Sequence, residues 1–260
     1  MRGGVLPVEQ KIRIQVLGFF AITVDDTPVE HLVARSRRGI DLLVRLILQQ
    51  GRPISNQQLI GDLWGTDLAR SHESALKTRV CRLRDLLESV APGLEECVQA
   101  EHRAYRYQPL PNVTVDVLDM LDILQKMQGE LTTEERLDCC RRIMDLYQGE
   151  PYLPVGTVGD VIHASYLRKS YLQTAHTYAD LLRERGDDGA LIAACRQALR
   201  QDPLEEHLRA ELMRALARQG RPDEAAQEYA QAVRFARQML DSEPGEELQA
   251  CRREIAGRAK

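Results

Sequence analysis

Arg70, Lys77, Arg79, Arg82 and Arg84 fall within fifteen residues of one another, accompanied by Ser74 and Thr78 and opposed only by Glu73 and Asp85. Cations at this density do electrostatic chemistry. They neutralise phosphates, and the planar fork of arginine also donates two parallel hydrogen bonds to a guanine edge. Leu76, Val80, Leu83 and Leu87 recur at the spacing of a single buried stripe, so RSHESALKTRVCRLRDLL (70–87) reads as one amphipathic helix. At 100° per residue, Ser74, Thr78, Cys81 and Arg82 turn away from that stripe. Lys77 and Arg84 lie on one flank and Arg79 on the other. Such a helix can enter a major groove. The same composition also fits a solvated surface helix, so the neighbouring elements must decide.

Other chemistry finds little footing. Cys81, Cys97, Cys139, Cys140, Cys195 and Cys251 form no CxxC pair, and no histidine cluster stands beside them at metal-site spacing. Reduced thiols in the cytoplasm are expected, with Cys81 the one on an outward helix face. No glycine-rich phosphate loop, HExxH, nucleophile elbow or HxE…CxxC arrangement occurs. GTVGD at 156–160 has no strand before it and reads as a connector. Asp116 and Asp119 suit a helix start better than acid–base work. His102 and His163 are isolated. The expectation is a non-enzyme with no catalytic residue, no cofactor and no metal.

The elements that would position the basic helix can be read in order. A chain of 260 residues favours two domains. Aromatics are scarce, at 5% with one tryptophan, Trp64, which favours helices packed with Leu and Ala. No segment is long and apolar enough to span a bilayer, and MRGGVLPVEQ lacks a signal-peptide core, so a cytoplasmic protein with no membrane partner is expected. The net charge of −4 is unevenly placed. Residues 11–108 carry 14 Lys+Arg and 12 Asp+Glu, whereas residues 109–260 carry 20 and 26. That split suits a DNA-contacting front joined to a protein-contacting back.

IRIQVL (12–17) alternates to Gly18, FFAITV follows, and Asp25-Asp26 marks a tight turn, predicting a small antiparallel sheet. A helix over 37–49 ends at Gly51 and Pro53. Ser55 with Gln58 forms a capping box for a second helix reaching Trp64, taken as core. Residues 65–71 connect to a third helix at 72–88. Alternation over 97–100 and 104–107 around EHR predicts a β-hairpin. Sheet, three helices and hairpin together make a winged helix-turn-helix, with a turn between helices two and three longer than usual.

Pro109 and Pro111 mark the domain boundary, giving 1–110 and 111–260. Helices are predicted over 116–128, 133–147, 161–185, 188–201, 205–218 and 222–240, with a loop at 149–159. Leu182-x3-Gly186 and Leu216-x3-Gly220 repeat at an offset of 34, as do Tyr178/Leu212, Ala198/Ala232 and Leu199/Val233. Thirty-four is the period of tetratricopeptide helix pairs. The fold class is therefore mainly α with a small β component: a winged helix-turn-helix followed by a tetratricopeptide-like helical array.

In this order and spacing, IRIQVLG, ISNQQLIGDLWG, SALKTRVCRLRDLLE, YRYQP, VTVDVLDM, YQGEPYL and the tail from DPLEEHLRAELMRALARQG resemble the Streptomyces antibiotic regulatory protein type of transcriptional activator. There an OmpR-like winged helix (here 1–110) precedes a bacterial transcriptional activator domain (here 111–260). The resemblance covers about Ile12 to Ile255. It implies an activator that binds direct repeats in double-stranded promoter DNA as a head-to-tail homodimer, one that DNA itself could assemble, and that recruits RNA polymerase. The contact positions it implies on the third helix are Ser74, Lys77, Thr78, Arg79, Arg82 and Arg84. In the wing they are Gln99, Glu101, His102 and Arg103. Arg82 is the leading base reader. Arg35, Arg37 and Arg38, at the start of the first helix, suit phosphate contact. Two departures stand out: the wing tip EHR has no glycine, and Glu101 sits where a basic residue is expected. The competing readings are an adaptor whose winged helix binds protein, motivated by Glu101 and the acidic total, and a ligand-responsive repressor with a pocket in the helical half.

Overall fold

The computed structural model describes residues 10–64, 70–153 and 158–258. They form two compact units: residues up to 122 together with 146–168, and residues 123–145 together with 169 onward.

In the first unit, β1 (Ile12–Gln15) pairs antiparallel with β2 (Ala21–Val24), setting Ile14 opposite Ile22. β2 also pairs with β3 (Thr27–Pro28), across a turn whose Asp25 and Asp26 both have positive φ. The other edge of β1 pairs parallel with β7 (Val113–Val115), which sets Ile12 beside Val113 and Ile14 beside Val115. The strands β5 (Val98–Glu101) and β6 (Ala104–Tyr107) form the expected hairpin, extended by the short β4 (Ile54–Ser55) to the order β4-β6-β5.

Three helices fill this unit: α1 (Leu32–Leu48), α2 (Asn56–Trp64) and α3 (Arg70–Val90). α1 breaks at Ser36, where the backbone is extended, so its regular part begins at Arg37. A Cβ on Gly39 would sit 2.5 Å from the Ser36 hydroxyl, which would have to rotate away, and in ordinary contact with Leu83 of α3 at 3.7 Å. The Ser55 hydroxyl accepts from the Gln58 N–H at 3.1 Å and starts α2. Leu76, Val80, Leu83 and Leu87 are all buried, as are Ile40, Leu43, Val44 and Ile47 of α1. Amphipathic periodicity thus becomes a shared core.

Residues 146–153 return to this unit. Gly18 N–H donates to Glu150 O, Tyr152 N–H donates to Val16 O, and Leu17 bridges Pro151. Gly18 has φ +97°, and a Cβ there would meet the Gln148 backbone at 3.1 Å. The α4 helix (Asp116–Lys126) opens with a buried carboxylate. Asp116 accepts from the N–H groups of Val16, Leu17 and Val117 at 2.7–3.0 Å. Burial pushes this carboxyl up to about 6, against the pull of those N–H groups. Packing therefore divides the chain elsewhere than at residue 110.

The remaining helices are α5 (Thr133–Leu146), α6 (Val158–Arg185), α7 (Asp188–Gln201), α8 (Glu206–Arg218), α9 (Pro222–Leu240) and α10 (Glu246–Arg258). Periodicity located these except α10, and the loop read at 149–159 is already helical at Val158. The glycines of the 34-residue echo both close helices. Gly186 and Gly220 have φ near +75°, and Asp187 N–H reaches Leu182 O as Arg221 N–H reaches Leu216 O. Paired Schellman endings of this kind stop each helix at the same point of the repeat. α8 packs against α7, α9 and α10, burying Leu208, Leu212, Met213 and Leu216, so this unit is a tetratricopeptide-like array. Of the GTVGD connector, Gly156 and Thr157 lie outside the described residues and Val158, Gly159 and Asp160 open α6, while of the connection read at 65–71 residues 65–69 lie outside and Arg70 and Ser71 open α3.

Candidate nucleic-acid interface

The stripe that buries α3 leaves its opposite side in solvent. Ser74, Lys77, Thr78, Cys81 and Arg82 are all exposed. The Thr78 hydroxyl donates to Ser74 O at 2.9 Å, and the Cys81 thiol lies 3.9 Å from Asp85. Among the described residues, neither Lys77 nor Arg82 has a side-chain partner. The two cations stand ready for an external anion.

Arg79 and Arg84 of α3 are engaged. The Arg79 guanidinium lies 4.3 Å from the centre of the Trp64 ring, and Trp64 in turn stacks on His72 at 5.4 Å. Burial and the neighbouring Arg38 lower the Arg79 pKa, with Asp41 opposing. Trp64 is only partly buried, holding α3 by this stack instead of filling the core. Arg84 forks onto the Val98 carbonyl, donating from Nε at 3.1 Å and from Nη2 at 2.6 Å. It fastens the first strand of the wing to α3.

Arg37 and Arg38 are exposed at the start of the regular part of α1. Arg38 and Arg79 share a cavity of about 300 Å³ with Asp41, Arg45 and Asp62. The Tyr152 hydroxyl donates to Asp41 at 2.8 Å. Burial and Asp41 push the Tyr152 hydroxyl up to about 12, while Arg37 pulls the other way. This basic group and the outward face of α3 are separate features of one unit.

The wing is built on the pairs Val98–Tyr107, Gln99–Arg106, Ala100–Tyr105 and Glu101–Ala104. Val98, Tyr105 and Tyr107 point into the core. His102 and Arg103 form the tip, with φ of +38° and +64°. A two-residue turn with two left-handed positions matches the strand twist, here without glycine. The Arg103 carbonyl accepts from Asn56 N–H at 2.8 Å, which ties the tip to the start of α2. The Arg103 side chain is exposed and has no partner among the described residues. Gln99 and Glu101 both meet Arg106. Arg106 Nε lies 3.4 Å from a Glu101 oxygen, and its Nη2 donates to Gln99 Oε1 at 3.3 Å.

Between α2, α3 and the wing runs a groove of about 820 Å³. Lys77, His102 and Arg103 line it with Glu73 and Glu101, so two separately predicted elements converge on one concave surface. Sequence reasoning did not foresee the Arg84–Val98 clasp or the stack on Trp64. Both are contacts between elements that carry no local signal.

Among the described residues, no group of three or more His, Cys, Asp or Glu could hold a metal ion, and no helix is long and apolar enough to cross a membrane. All six cysteines are free thiols, Cys81 exposed and the rest buried.

Comparison with known proteins agrees with this architecture. Regulatory protein AfsR of Streptomyces coelicolor is 28% identical over 231 residues, and AfsR of Streptomyces griseus is 26% identical over 223. These alignments cover 87% and 84% of this chain but only 22% of each relative, so the chain spans about a fifth of their length. The structure of Mycobacterium tuberculosis EmbR in complex with a low-affinity phosphopeptide shares the fold. Its TM-score is 0.65 at 19% identity, over 96% of this chain and 66% of that one. The C-terminal family of transcriptional regulatory proteins matches residues 30–104, which contain α1, α2, α3 and the first strand and tip of the wing. The bacterial transcriptional activator domain matches residues 120–256, more than half of the sequence. The chain therefore belongs to the bacterial transcriptional activator domain family.

Proposed function

We propose that this protein activates transcription by binding direct repeats in promoter DNA as a head-to-tail pair and recruiting RNA polymerase. Residues 1–110 serve as the reader and residues 111–260 as the activating half. α3 lies in the major groove, with Arg82 reading base edges and Ser74, Lys77 and Thr78 against the backbone. Arg103, His102 and Gln99 of the wing meet the adjacent minor groove or its phosphates. Arg37 and Arg38 supply further phosphate contacts, and Arg79 and Arg84 contribute from the flanks of α3.

The observation that supports this reading is the pairing state of the cations. Lys77 and Arg82 on the open face of α3, and Arg103 at the wing tip, are exposed and have no side-chain partner among the described residues. Unpaired guanidinium groups on a groove-sized surface suit a polyanion.

The test is selection of bound duplexes from a random pool by the purified protein at about 0.15 M salt, a condition that weakens purely electrostatic binding. The expected product is a direct repeat spaced by about one helical turn. A folded, monodisperse protein that enriches nothing would overturn the reading and favour a protein-binding adaptor.

A further inference from the structure

Glu101 poses a physical problem. A carboxylate on the wing, two residues before Arg103, would stand in the field of the phosphates that the wing is proposed to meet. Placing like charges together costs binding energy. The hairpin register answers it. Gln99 and Glu101 alternate onto one face of β5, and Arg106 lies opposite Gln99 on β6. From there its guanidinium reaches both, at 3.4 Å to Glu101 and 3.3 Å to Gln99 Oε1.

We infer that Arg106 is a positioning residue for DNA binding: it masks the charge of Glu101 and orients Gln99 so that the wing meets the duplex with donors only. This rests on the reading that the wing contacts DNA. Arg106 occupies the Gln99 carbonyl oxygen at 3.3 Å, which leaves the amide NH₂ as the group Gln99 can offer to the duplex. That group is a donor suited to phosphate oxygens or to the acceptors of the minor groove. Arg103 has no such duty and remains free to contact the backbone directly. The Arg106–Glu101 pair is partly exposed, at 36% and 49% of the two side chains, so its contribution to folding is modest.

The experiment is a charge cycle in the whole 260-residue chain. Wild type, Glu101→Gln, Arg106→Gln, the double variant and Arg103→Ala are titrated with a mixed-sequence 30-base-pair duplex between about 0.05 and 0.2 M salt, a range over which phosphate contacts register in the salt slope. Circular dichroism and thermal melts check that each variant folds. Masking predicts that Arg106→Gln weakens binding by about fivefold at low salt, because a bare carboxylate now faces the phosphates. It also predicts that adding Glu101→Gln restores affinity to within about twofold, with the wild-type salt slope.

Two results would overturn the inference while leaving the wing on DNA. One is a double variant that stays weak with a slope lower by about 0.9, which would mean that Arg106 itself touches a phosphate. The other is an unchanged Arg106→Gln beside a weakened Arg103→Ala. If neither Arg103→Ala nor Arg106→Gln alters binding, the wing is not at the duplex, and both the inference and the reading beneath it fail.

Discussion

The two units differ in how the arginines at their centres are used. In the helical array those around α8 face carboxylates, although Arg142, Arg200, Arg234 and Arg253 are exposed without a partner among the described residues. Arg209 meets Glu228 at 2.9 Å, Arg214 meets Glu211 at 2.7 Å, Arg218 meets Asp188 at 2.6 Å, and Arg196 and Arg221 both meet Glu224. In the winged-helix unit, Arg82, Lys77 and Arg103 have no such partner among the described residues. Buried carboxylates differ too. Glu211 sits beside Arg214 and Arg183, whereas Asp116 is held by backbone N–H groups alone. Ion pairs knit the centre of the array, and Arg45–Asp62 does the same in the first unit at 2.7 Å, while the open face of α3 keeps its cations unpaired among the described residues. Composition alone hides this, because both halves are rich in arginine.

Substitutions can break that contrast. The largest effect is expected in the array. Arg209→Ala removes a buried guanidinium and leaves Glu228, 13% exposed, without its partner, which should destabilise the protein by about 2–4 kcal/mol in urea unfolding. DNA affinity measured well below the melting transition should not change. A comparable loss of DNA affinity in the folded variant would show that the array's arginines also serve the duplex.

Asp116 gives the next effect, as a pH profile. Its folded pKa, about 6, lies above the ordinary carboxyl value, so the folded chain holds the proton more tightly. The contribution is fully present below about pH 4 and is lost as pH rises through 6, a change of about 3 kcal/mol. Carbon-detected NMR titration of the Asp116 carboxyl, with unfolding free energies at pH 4 and 7, checks it. A midpoint below 4 would show that the three N–H donors outweigh burial.

Arg82→Ala should cost about 1–3 kcal/mol on a selected site and much less on unrelated DNA, since a lost base contact relaxes discrimination. Equal weakening on all sequences would reassign it to the backbone. Lys77→Ala should instead weaken binding severalfold on every duplex and lower the salt slope by about 0.9. At the small end, Arg185→Ala removes an exposed pair with Glu134. It should change stability by less than about 0.5 kcal/mol and leave DNA binding untouched.

Elements with a local period were legible in the sequence. The Leu76–Leu87 stripe, the Ser55 cap, the hairpin and the Gly186/Gly220 echo all follow from neighbours within a few residues or from a fixed repeat. What escaped is nonlocal. Pro109 and Pro111 read as a boundary, yet Val113–Val115 pairs with a strand about a hundred residues earlier. A parallel partner leaves no nearby mark. For the same reason the return of Glu150 and Tyr152 to Gly18 and Val16 could not be foreseen. At the candidate site, the face of α3 was readable by its angle, but the use of each arginine was not. Arg84 and Arg82 are two residues apart, and one clasps a carbonyl while the other meets solvent.

The parallel strand at Val113–Val115 bears on how such regulators can be recombined. A front half excised at residue 110 would lose β7 and leave one edge of β1 unpaired at Ile12 and Ile14, with β2 still on the other. Bare edges of this kind recruit a strand from another molecule. A transplantable reader must carry residues up to 122 and the returning segment 146–168, so the portable piece is discontinuous in the gene.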